Sequence, residues 1–181
     1  MSQSAPAAGR LPDPGADRMA ADAVVRHHAQ LSEMLNRHAD RLLAAAERGD
    51  PAEAQRARAD LLAWLRADLV PHALAEEATL YPAAAADARA ALLVDGMLDE
   101  HRVITELVAE IETATDVPVR AAAAARALAA VFSTHLAKEN TLVVPLLVGA
   151  EQVSLAGLLE GMHSLLGEDT ARSGHGGARD V

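Results

Sequence analysis

The chain has 181 residues, enough for one domain with a core of its own. It is 51% apolar but only 2% aromatic, carries a formal charge of −10 and contains no cysteine. This excludes disulfides, iron–sulfur clusters, thiolate metal sites and cysteine nucleophiles, and it disfavours nucleic acid or anionic membrane as a partner. No apolar run reaches the ~18 residues of a membrane span.

Residues 1–17, MSQSAPAAGRLPDPGAD, lack the apolar core of a signal peptide and read as a disordered leader. With nothing directing export, the cytoplasm is the expected location. The domain is expected over 18–167. A first helix should run from near Asp17 to Arg48, where Gly49 can take the left-handed stop. Asp50 and Pro51 then suit the cap and first turn of a second helix, to Leu80, with Pro82 ending it. Pro71 lies inside that helix and should kink it just before His72. A third helix is expected from Asp87 to Glu112. A fourth opens at Asp116 and Pro118 and ends near Pro145. A short fifth spans Leu155 to Leu166, with Ser154 as cap and Gly167 as stop, and 168–181 reads as an unstructured tail. Alanine and leucine dominate, no segment alternates with period two, and the joints are short. The fold class is therefore all-α: an antiparallel four-helix bundle with a short C-terminal helix.

The apolar stripes place several histidines inside. Val24, Leu31, Leu35 and Leu42 form one stripe, and His28 falls on it. Its rival His27 has a weaker stripe of Ala20, Leu31 and Met34. Met97, Ile104 and Val108 carry His101 on the third helix, and Leu128, Val131, Leu142 and Leu146 mark the fourth. His72 and Glu76 share a helix face at i, i+4, and His135 and Glu139 repeat the spacing. Each pair is followed by proline six residues after the glutamate. The chain thus contains two helical hairpins of one plan, each contributing a lone histidine and then a His-x-x-x-Glu pair.

Four imidazoles and two carboxylates in an apolar core are costly unless a cation compensates them. Imidazole with carboxylate suits iron, manganese or zinc. The donor set is also too large for one ion. With both glutamates bridging, the protein supplies about eight bonds, and a shared oxide or hydroxide adds about two of the roughly twelve that two six-coordinate ions need. About one position per metal stays open, as a reactive site requires.

On these residues the chain resembles the hemerythrin-like HHE cation-binding family. The pattern is His28, His72-ALA-Glu76, His101 after Glu100, and His135-LAK-Glu139, with ATLYP and TLVVP following, over roughly residues 18–148. The resemblance implies a bundle around two non-haem iron ions with an oxo or hydroxo bridge, held by His28, His72, Glu76, His101, His135 and Glu139. Oxygen-carrying members have a further histidine where this chain has Thr105, and an aspartate at another spacing where it has Glu139, so the four-histidine, two-glutamate branch is the nearer match. The function expected is chemistry on a small diatomic or peroxide ligand, catalase-like or scavenging nitric oxide and peroxide. The alternative is a module that senses or stores oxygen, nitric oxide or iron without turnover. Around the site, Glu77 reads as surface or as support for a ligand, and Asn140 is its counterpart. Glu100 could orient an imidazole, Phe132 reads as a pocket wall and Tyr81 as packing. His38, His163 and His175 read as lying outside the site.

Overall fold

The computed structural model describes residues 12–173, all helix and turn, with no strand among them. α1 (Pro14–Glu47) starts earlier than expected, because Asp13 caps it by accepting from the Gly15 and Ala16 N–H groups. Gly49 then reverses the chain at φ +63°, a conformation only glycine adopts without strain. Asp50 caps α2 (Pro51–Trp64) by accepting from the Glu53 N–H at 3.0 Å.

The expected kink at Pro71 takes a specific form. The helix widens into a π turn over Leu65–Leu69, closed by the Val70 N–H on the Leu65 carbonyl, and α3 (Val70–Ala78) follows with Pro71 in its first turn. A proline has no N–H to give and its ring clashes with the carbonyl four residues back, so a turn with one extra residue removes the conflict. Pro82 does not end its helix as expected. The break comes three residues earlier, at Thr79, and α4 (Leu80–Ala85) carries Pro82 at its third position, where a missing N–H costs nothing.

α5 (Ala91–Thr113) and α6 (Pro118–Lys138) complete the four-helix ring, in which α1 packs on α2 and α6, and α5 packs on α6. After α6 a second π turn, Glu139–Val143, leads into α7 (Val144–Val148), so Pro145 sits inside a continuing helix rather than at its end. The extra residue shifts the phase. Leu142, expected on the buried stripe, is exposed, while Val143, Val144 and Leu147 are buried instead. α8 (Leu155–Ser173) runs past Gly167, so it outlasts the expected stop, and residues 168–173 are helical. Residues 1–11 and 174–181, including His175, lie outside the described residues.

α8 lies against α1, α3 and α7. Its anchor is Asp17, which was expected in the leader but is buried. One Asp17 oxygen accepts from the Ser154 hydroxyl at 3.1 Å and the Ala156 N–H at 2.9 Å. Ser154 in turn caps α8 by accepting from the Gly157 N–H at 3.2 Å.

The core forms two apolar clusters. One includes Leu31, Leu69, Ile104, Phe132 and Leu136, and the other includes Val24, Ala75, Met97, Val143 and Leu155. In sequence, His28 falls between Val24 and Leu31, His72 between Leu69 and Ala75, His101 between Met97 and Ile104, and Glu139 between Leu136 and Val143. A polar layer is therefore sandwiched across the middle of the bundle.

Candidate metal centre

All six sequence-derived donors are buried: His28, His72, Glu76, His101, His135 and Glu139. The i, i+4 spacing sets His72 Nε2 at 3.0 Å from Glu76 Oε1, and His135 Nε2 at 3.4 Å from Glu139 Oε1. Each carboxylate also reaches the other hairpin. Glu76 turns Oε1 toward His28 Nε2 (3.4 Å) and Oε2 toward His101 Nε2 (3.8 Å). Glu139 turns Oε2 toward His28 Nε2 (3.7 Å) and Oε1 toward His135. Two overlapping groups of donors result, His28–His72–Glu76 and Glu76–His101–His135, each with its atoms within 4.8 Å of one another.

The outer ring nitrogens are held by other side chains. His101 Nδ1–H donates to Glu77 Oε1 at 2.7 Å, His135 Nδ1–H to Glu100 Oε2 at 3.1 Å, and His28 Nδ1–H to Asn140 Oδ1 at 2.8 Å. These bonds fix which nitrogen carries the proton. The inner Nε2 atoms then present lone pairs to one another: those of His101 and His135 stand 3.0 Å apart. His28 Nε2, both nitrogens of His72, Glu76 Oε1 and Glu139 Oε2 are buried without a directed hydrogen bond among the described residues. A convergent set of lone pairs and carboxylate oxygens is the donor chemistry that a cation satisfies, and no lysine or arginine is buried among the described residues to supply one.

The electrostatics agree. Burial alone would neutralise Glu76, yet the facing His72 and His28 hold its carboxyl well below the usual range. Burial likewise disfavours charge on His28, but Glu76 and Glu139 outweigh it and leave its pKa raised. His135 is raised by Glu139 against the same opposing burial. Glu76 therefore stays ionised in the core and draws positive charge toward it.

Tyr81 belongs to this site rather than to packing alone. It is buried, its hydroxyl donates to Glu139 Oε1 at 2.6 Å, and its oxygen lies 3.1 Å from His135 Nε2 and 3.3 Å from His101 Nε2. Burial and the nearby Glu139 push its pKa far up, so the phenol stays protonated in the metal-free chain. Phe132 stacks on His135 as a wall, with centroids 6.3 Å apart. Thr105 is exposed and turns its hydroxyl back onto the His101 carbonyl at 2.9 Å, taking no part in the cluster. His38 stacks on Trp64 away from the site. His27 is exposed but touches the site from outside, its ring edge-on to His72 with centroids 5.0 Å apart.

A cavity of about 150 Å³ opens beside the His28 and His72 half, walled by Val24 and Leu80 and covered by Leu159 and Met162 of α8, with His27 and His163 also lining it. His163, expected to be only solvated, is exposed but takes its place in this lining.

Bundle and cluster together define a helical protein whose buried histidines and carboxylates fit a metal site. The chain belongs to the hemerythrin family: the model of the hemerythrin HHE cation binding domain matches residues 19–147. No match to a curated protein or to a solved structure was found. No helix among the described residues is long and apolar enough to cross a membrane.

Proposed function

We propose that the chain is a non-haem di-iron protein that reacts with small oxidants or diatomics: peroxide, nitric oxide or oxygen. The observation that carries this reading is the division of each carboxylate, with one oxygen facing each histidine pair. His28 and His72 would hold one ion, His101 and His135 the other, and Glu76 and Glu139 would bridge them. A redox-active iron pair supplies electron transfer to a bound peroxide or diatomic, the chemistry that no side chain here performs alone.

The chain's own residues have three tasks. Glu77, Glu100 and Asn140 fix the rings of His101, His135 and His28 so that Nε2 faces inward. The apolar clusters on either side keep bulk water out and lower the local dielectric. Tyr81 keeps a hydroxyl proton on Glu139 Oε1, at the edge of the His101 and His135 half, where it can also approach an ion held by those rings. The open half beside the cavity suits a small uncharged ligand better than a large substrate.

Elemental analysis of the chain purified without added metal, followed by peroxide consumption after iron loading, tests the proposal. About two irons per chain and turnover above that of free iron support it. One zinc per chain, or no iron after supplementation, overturns it. Two irons with gas-induced spectral shifts but no turnover would move the reading to a sensing or storage module.

A further inference from the structure

The six donors obey the pseudo-twofold of the two hairpins, but the groups behind them do not. The residue after each glutamate accepts the outer N–H of a histidine from the opposite hairpin. Glu77 accepts from His101 at 2.7 Å, whereas Asn140 accepts from His28 at 2.8 Å. The residue before each lone histidine faces the paired histidine of its own half. Glu100 accepts from His135 at 3.1 Å, while its counterpart His27 only meets the edge of the His72 ring. His72 Nδ1 is consequently buried with no hydrogen-bond partner among the described residues.

The His101 and His135 half therefore has two carboxylates behind its rings, and the His28 and His72 half has an amide and an imidazole. Glu100 also carries Lys138 on its other oxygen, which offsets part of its charge and fixes its position. A carboxylate behind a metal-bound imidazole orients the ring and raises its basicity, and loss of such a partner typically costs ~10–100-fold in metal affinity. The cavity distinguishes the halves independently. His28, His72 and Glu76 line it, and His101 and His135 do not.

We propose that the two metal positions are inequivalent. The His101 and His135 half holds its ion tightly, and the His28 and His72 half, which lines the cavity under α8, holds an ion of lower affinity that exchanges. This rests on the two-metal reading given above. The asymmetry follows from two substitutions in an otherwise repeated plan, Asn140 for an acid and His27 for an acid, and neither changes a direct ligand.

Zinc, which is diamagnetic and suits the same donors, is the probe. The full-length metal-free chain is titrated with it while the histidine side-chain nitrogens are followed by NMR and the heat by calorimetry. The first equivalent should move His101 and His135, and the second should move His28 and His72, with the two steps ~10–100-fold apart in affinity. His27→Glu, at an exposed position, should strengthen the second step and narrow the gap. Glu100→Gln should weaken the first step by ~10–100-fold and spare the second. Simultaneous filling of both halves in the unaltered chain, or a gap unchanged by His27→Glu, overturns the inequivalence and leaves a two-metal centre standing. Binding of fewer than two zinc ions overturns both.

Discussion

Replacing Asp17 with alanine tests how α8 is attached. The carboxylate is 1% exposed and accepts two hydrogen bonds from the first turn of α8, from the Ser154 hydroxyl and the Ala156 N–H. Bonds to a charged acceptor contribute ~1.5–3 kcal/mol each, or roughly 3–6 kcal/mol together. Against this, the substitution removes a buried charge whose desolvation costs several kcal/mol. Ser154 also keeps its own bond to the Gly157 N–H. The net loss should therefore resemble the upper range for a helix cap, ~2 kcal/mol. It should fall mainly on α8, which joins the core through Leu155 and Met162, while the other apolar cluster contains no residue of α8. The assay is native-state hydrogen exchange. Amides from residue 158 onward in α8 should exchange about thirtyfold faster at ~1.4 kcal/mol per tenfold, with those of α1 and α5 unchanged. Asp17→Asn, which keeps an acceptor oxygen, should recover most of the protection. Unaltered exchange in α8 would refute the anchoring role, and a uniform increase in every helix would show α8 to be part of one cooperative unit.

The metal-free chain should remain folded and helical but melt lower than the iron-loaded form, because metal binds only the native arrangement of donors. Circular dichroism melts check this, and an unfolded metal-free chain would contradict it. Glu139→Ala should lower the iron content and flatten the difference between the two melts. Tyr81→Phe removes one buried hydroxyl and its bond to Glu139, so it should cost ~1–1.5 kcal/mol in denaturant unfolding while the iron content is retained. Leu159→Trp should fill the cavity and slow the reaction of the iron-loaded chain with peroxide in stopped-flow traces, with no change in iron per chain.

The convergence of these six side chains was legible because residues that meet across helices must obey helical spacing. His-x-x-x-Glu puts two donors on one face, and the stripes through Val24 and Leu31 and through Met97 and Ile104 pointed His28 and His101 inward. Tyr81 was not legible, because no repeat partner marks it and its direction depends on the break at Thr79. The partnership of Glu77 with His101 and of Asn140 with His28 joins residues 24 and 112 positions apart. Asn140 stood out in the sequence only as the counterpart of Glu77, although an amide oxygen accepts an N–H as a carboxylate does. The exposed Leu142 and buried Val143 reflect a π turn that periodicity of 3.6 cannot foresee. The role of Asp17 as the anchor of α8 depends on contact between the two ends of the domain.

The π turn at Glu139–Val143 bears on how this stretch could change over generations. Pro145 in an unbroken α-helix would cost ~3 kcal/mol or more through its missing N–H and its clash with the carbonyl four residues back. The additional residue in the turn relieves that clash and leaves Val143, Val144 and Leu147 facing the core. Deleting one residue there while keeping the proline restores the clash. Replacing the proline alone leaves a widened turn with nothing to accommodate. Only the paired change, a deletion together with Pro145→Ala, returns a plain helix. Insertion and proline are thus epistatic, each tolerable in the presence of the other, and the same bond holds between the Leu65–Leu69 turn and Pro71. A lineage with both has little access to single-step reversion, and that constrains the backbone beside Glu139 and His72 independently of any selection on the donors themselves.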